Sequence, residues 1–137
     1  MNPRPDASTV LFGLAAFLEQ DARPAIQDRA LSFRVLVAAN LARMLSAELL
    51  TERDRLDAQL RGLRTVLGPE RVRDVTDAGL DTLRTAVTYA DRELAAALRD
   101  PSAATELVRA ATEYARATLR DALAISNPGF ALDDDVP

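Results

Sequence analysis

Residues 25–50 constrain the fold most, because apolar side chains recur there on more than one side of a single helical stretch. Ile26, Phe33, Val37, Leu41, Met44 and Leu45 form one stripe at helical spacing. Leu31, Val35, Leu36, Ala38, Ala39 and Leu49 widen it until the middle of the helix needs covering from several directions. A central helix of this kind calls for further helices around it. Alanine and leucine, both strong helix formers, dominate the apolar residues, whereas aromatics are only 4% of the chain. The expected fold is all-α: a helical bundle of about five helices with a long central helix.

The remaining elements follow from their stop and start signals. Asp6 or Ser8 caps a first helix carrying Val10, Leu11, Leu14, Phe17 and Leu18, and Pro24 suits the first turn of the central one. Thr51 and Asp54 have the spacing of a capping box, which would open a third helix with Leu56, Leu60, Leu63 and Leu67 on one face. Gly68-Pro69 ends it, and the charged stretch 70–79 reads as a connector. A fourth helix over 80–99 turns Leu80, Leu83, Val87, Ala90, Leu94 and Leu98 inward. Asp100-Pro101-Ser102 then stops it and caps a fifth, about 103–126, which Asn127-Pro128-Gly129 ends. Residues 6–127 are expected to form a single domain, followed by an acidic mobile tail at 128–137.

Composition removes most chemistries. Cysteine and histidine are both absent, so there is no thiolate nucleophile, no sulfur-ligated metal and no imidazole base or ligand. All 17 basic residues are arginine, which excludes a Schiff-base or P-loop lysine. A net charge of −4 argues against nucleic acid as a partner. The apolar run 10–18 is too short to span a bilayer and leads directly into Glu19, Gln20 and Asp21, so the expected location is cytoplasmic, with no membrane contact.

Carboxylate pairs exist at Glu48/Glu52 and Asp54/Asp57, but the neighbouring Arg53 and Arg55 make a solvated charged face the better reading. No catalytic, cofactor-binding or metal residue is expected. Asn40 stands out because it interrupts an apolar run, either as a buried structural amide or as an amide facing a partner or pocket. Tyr89 and Tyr114 are expected in the core with their hydroxyls reaching the surface.

Two segments carry a family likeness. Ala16-Phe17-Leu18, Pro24 and Arg29-Ala30-Leu31-Ser32-Phe33 lead into Val37-Ala38-Ala39-Asn40, with Glu48-Leu49 after them. Near the other end stands Ala122-Leu123-Ala124-Ile125-Ser126-Asn127-Pro128-Gly129-Phe130. With these the chain resembles a family of small all-helical proteins encoded beside aminoglycoside-phosphotransferase-like kinases and acyl-CoA dehydrogenases. Leu36, Ala122 and Gly129 depart from the basic residues usual in both signatures. The resemblance implies a non-catalytic accessory subunit, like that of the levulinate-type 4-hydroxyacyl-CoA kinase. Phe33, Arg34, Val37, Asn40, Asn127, Pro128 and Phe130 would then meet the kinase, and a homo-oligomer is compatible with such a surface. The alternative is a small-ligand-binding or regulatory helical module without enzymatic activity.

Overall fold

In the computed structural model, which describes residues 4–129, Asp6 starts the first helix. Its Oδ1 accepts from Thr9 N at 2.7 Å, satisfying a backbone donor that the first turn leaves open. Helix α1 covers Ala7–Phe17 and continues through a π-turn, Leu18–Ala22, into a 3₁₀ turn, Arg23–Ala25. Pro24 therefore opens the 3₁₀ turn and not the central helix. The central helix α2, Arg29–Leu67, starts one step later, where Asp28 Oδ1 accepts from Leu31 N at 2.8 Å. Helices α3, Leu80–Arg99, and α4, Thr105–Ser126, complete the set.

Among the described residues the fold is all-α, with four α-helices where five were expected. The expected second and third helices are one. Thr51 does not cap a new helix; its Oγ1 donates to Ala47 O at 2.8 Å, a bond to the preceding turn that a helix interior accepts. No glycine or proline stands near position 51, so nothing there forces the chain out of helical geometry. The stop comes at Gly68, whose φ of 95° is the left-handed conformation that favours glycine at a helix end. Asp100 also differs from its expected role. Its Oδ1 accepts from Ser102 N and Oγ at 2.8 and 2.7 Å, building the turn before α4, whose own N-cap is Ala104.

The chain divides into two compact units, Met1–Glu52 and Arg53–Pro137. In the second, Leu60, Leu63 and Leu67 of α2 share one core with Val72, with Leu83, Val87, Ala90 and Leu94 of α3, and with Ala111 of α4. Leu98 is exposed instead of joining that face. Val72 sits in the charged connector, where nothing in the sequence marked it as core. The connector is held by side chains of α2. Arg53 donates to Thr76 O and Ala78 O at 3.1 and 2.8 Å, so it is a two-pronged clamp and not merely part of a solvated face. Asp74 Oδ1 accepts from Thr76 N and Oγ1, and Asp74 Oδ2 pairs with Arg64.

The aromatic residues separate sharply. Tyr114 is half-buried, its ring lies over Gly62, and its hydroxyl donates to Asp91 Oδ1 at 3.1 Å. A Cβ on Gly62 would stand 2.8 Å from the ring, so this glycine inside a helix has a packing cause. Tyr89, expected in the core, is 60% exposed: it follows the buried Val87 by two positions and so falls on the outer side of α3.

Candidate functional site

The first unit is a pair of helices held by small side chains. Ser46 Oγ of α2 donates to Ser8 O of α1 at 2.8 Å, and the two serine hydroxyls lie 3.3 Å apart. Ala15 lies two turns along α1 from Ser8, and Ala39 and Ala42 share the side of α2 that carries Ser46. These four, Ala15, Ala39, Ala42 and Ser46, are the buried residues among positions 4–52. An Arg43–Glu19 ion pair closes the other end of the contact. Alanine and serine let two helix backbones approach closely, but they bury little apolar area.

Most large side chains of this unit are exposed, while Leu11, Leu18, Ile26, Val35, Leu36 and Met44 are partly buried. Val10, Phe12, Leu14 and Phe17 are exposed on α1, and Leu31, Phe33, Val37, Leu41, Leu45, Leu49 and Leu50 on α2. Phe12 and Phe33 keep 62% and 65% of their surface in solvent. Phe33, Val37, Leu41 and Leu45 run along the side of α2 opposite Ala39, Ala42 and Ser46. Among the described residues of the first unit, the central helix is therefore covered mainly on one side, whereas its sequence calls for cover on several. Large apolar side chains gathered on one side of a helix are a usual mark of binding surfaces.

Four of the seven expected partner-contact residues, Phe33, Arg34, Val37 and Asn40, stand exposed within two turns of α2. Asn40 is not a buried structural amide; its Oδ1 sits 3.5 Å from Arg43 Nη1 on the same helix. Asn127 and Pro128, both exposed, lie at the end of α4 in the other unit, with Asn127 N donating to Leu123 O. Phe130 and the acidic run of the tail lie outside the described residues. Leu41 and Leu45, where the sequence calls for cover, belong to this outer side, and Leu49 is exposed beyond the end of the α1 contact. Their signal was the excess of apolar positions around the helix.

The carboxylates form no site. Among the described residues no group of three or more Asp or Glu side chains is arranged to hold a metal ion. By length and composition alone, α2 contains a stretch apolar enough to cross a membrane, although Arg34, Asn40 and Arg43 interrupt it. In the second unit a cleft of about 710 Å³ lies beside α3, with Val72, Val75 and Ala90 among its apolar lining and Arg71, Arg73 and Tyr89 among its polar residues.

The family model described as "Domain of unknown function (DUF6285)" matches residues 24–130, and the chain belongs to that family. No curated protein and no solved structure matches it.

Proposed function

We propose that this DUF6285 protein is a non-catalytic, cytoplasmic accessory subunit of an aminoglycoside-phosphotransferase-like kinase that acts on hydroxyacyl-CoA substrates. The observation that carries the binding role is the first unit's inversion: its buried residues are alanine and serine, and most of its large apolar residues are exposed. The kinase as partner rests on the resemblance of residues 33–40 and 122–130 to the accessory-subunit family. Phosphoryl transfer needs a catalytic aspartate, metal ligands and a phosphate-gripping lysine. With no lysine in this chain, those parts come from the kinase. Phe33, Arg34, Val37 and Asn40, together with Asn127, Pro128 and Phe130, are the contacts to substitute first.

The test is reconstitution with an aminoglycoside-phosphotransferase-like kinase from the same organism. Alone, the chain neither binds ATP nor releases phosphate from it. Mixed with the kinase, it forms a complex and raises turnover of a hydroxyacyl-CoA. ATP hydrolysis by the purified chain, or full kinase activity that is indifferent to it, would overturn the reading. The cleft beside α3 favours one second reading, a small-ligand-binding helical module. Its volume lies in the range of small-molecule sites, and it combines an apolar lining with two arginines. Stabilisation of the second unit by a panel of acyl carboxylates and acyl phosphates would support that reading, and its loss in an Arg73→Ala variant would locate the site.

A further inference from the structure

The outer stripe of α2 has an internal symmetry centred on Leu41. Val37 and Leu45 lie four residues to either side, each about 40° round the helix from it, and all three side chains are exposed. Arg34 and Glu48 lie seven residues to either side. A seven-residue step turns a helix only about 20° short of two full turns, so both charges sit on the same stripe as Leu41. Neither Arg34 nor Glu48 has a hydrogen-bond or ion-pair partner among the described residues. A helix face that is apolar in the middle, with one unpaired cation before its centre and one unpaired anion the same distance after it, complements a reversed copy of itself.

We infer that a second copy of this chain covers the stripe, with the two α2 helices antiparallel about a two-fold axis at Leu41. In that arrangement residue 41−k of one protomer lies level with residue 41+k of the other, and the two meet where both point into the seam. Arg34 of each protomer meets Glu48 of its partner, giving two equivalent ion pairs. Val37 lies beside Leu45, and Leu41 beside its own copy. A parallel pairing would place Arg34 against Arg34 and Glu48 against Glu48, so the charges select the orientation. The dimer is the state of the chain alone; it shares Arg34 and Val37 with the proposed kinase contact, so kinase binding there would displace the second copy.

Cross-linking and charge reversal test it on the full chain, with circular dichroism confirming that each variant keeps its helix. The chain has no native cysteine, so single cysteines report one position each. Leu41→Cys at the axis forms a disulfide-linked dimer on mild oxidation. Phe33→Cys does not, because its two copies stand about 24 Å apart in the antiparallel pairing, far beyond disulfide reach. Sedimentation equilibrium shows a dimer for the natural sequence. Arg34→Glu weakens its dissociation constant roughly tenfold at low salt, Glu48→Arg does the same, and the double reversal restores it. A chain that stays monomeric at 100 µM concentration overturns the inference, including one that uses the stripe only when the kinase is present. So does equal cross-linking at positions 33 and 41, or a double reversal no better than either single one.

Discussion

The two units of this chain solve the same packing problem in opposite ways. Residues 53–126 place Leu60, Leu63 and Leu83 in full burial and keep most large side chains of α3 away from water. Residues 7–50 are at least as apolar, yet they bury only alanine and serine and leave phenylalanine, leucine and valine outside. One continuous helix, α2, serves both arrangements, with Leu63 enclosed near its end and Leu41 bare near its middle. Helix periodicity alone does not separate the two cases, because both halves carry apolar stripes. What separates them is the supply of covering elements: two more helices and a connector in the second unit, one short helix in the first. Among the described residues the first unit has exposed apolar side chains that no second helix of that unit covers.

The comparison predicts unequal costs. Leu63→Ala, at a site with 0% exposure, should destabilise the second unit by about 2–5 kcal/mol in urea unfolding, through lost transfer energy and a cavity. A cost below about 1 kcal/mol would mean that this core is loose. Ala39→Leu should cost about 1–3 kcal/mol, because the close contact of α1 with α2 leaves no room for a larger side chain. If Ala39→Leu is neutral, the small-residue contact is not what holds the hairpin.

Gly62→Ala should cost about 1 kcal/mol, the clash with the Tyr114 ring outweighing the better helix propensity of alanine. In a Tyr114→Ala background the same change should become stabilising, a sign reversal that a double-mutant cycle reads directly. Leu45→Ala should be the mildest, under about 0.5 kcal/mol when unfolding is followed in dilute, monomeric protein. A larger loss there would show that the outer stripe is covered within the chain.

The response to pH sharpens the contrast further. Burial, and then the nearby Asp91 carboxylate, push the Tyr114 phenol well above its ordinary value of 10.0. A raised folded-state value gives stability that is complete below pH 10 and declines as the pH rises beyond it. Alkaline sensitivity should therefore appear in the second unit and vanish in Tyr114→Phe. Hydrogen bonds from Thr9, Thr76 and Ser102 hold Asp6, Asp74 and Asp100 below the usual aspartate range. Depressed values give stability that is present at neutral pH and lost as the pH falls through the folded-state values, so acid touches both units. Melting curves between pH 3 and pH 11, resolved by unit through amide exchange, check both directions.

Much of the fold was legible in the residues. The Asp6 cap, the Gly68 stop, the bounds of α3 and the inward positions Leu83, Val87, Ala90 and Leu94 are all local consequences of capping, backbone freedom and 3.6-residue periodicity. Of the candidate site, Phe33, Arg34, Val37 and Asn40 were legible as residues, but not as an exposed face. Thr51 misled because a hydroxyl three residues before an acid looks alike at a helix start and inside a helix; the difference is which backbone group it bonds. Val72 and Gly62 were hidden for a related reason. A valine among charges is core only if a neighbouring helix covers it, and a glycine in a helix matters only if a ring arrives from α4.

The sequence by itself determined that the chain is helical, where most helices stop, and that it has no histidine, cysteine or lysine chemistry. It also determined that residues 25–50 carry more apolar surface than one neighbour covers. Only the tertiary structure decided which side of α2 α1 would take. It took the alanine and serine side, because close helix approach needs small residues, and so left Phe33, Val37, Leu41 and Leu45 facing water.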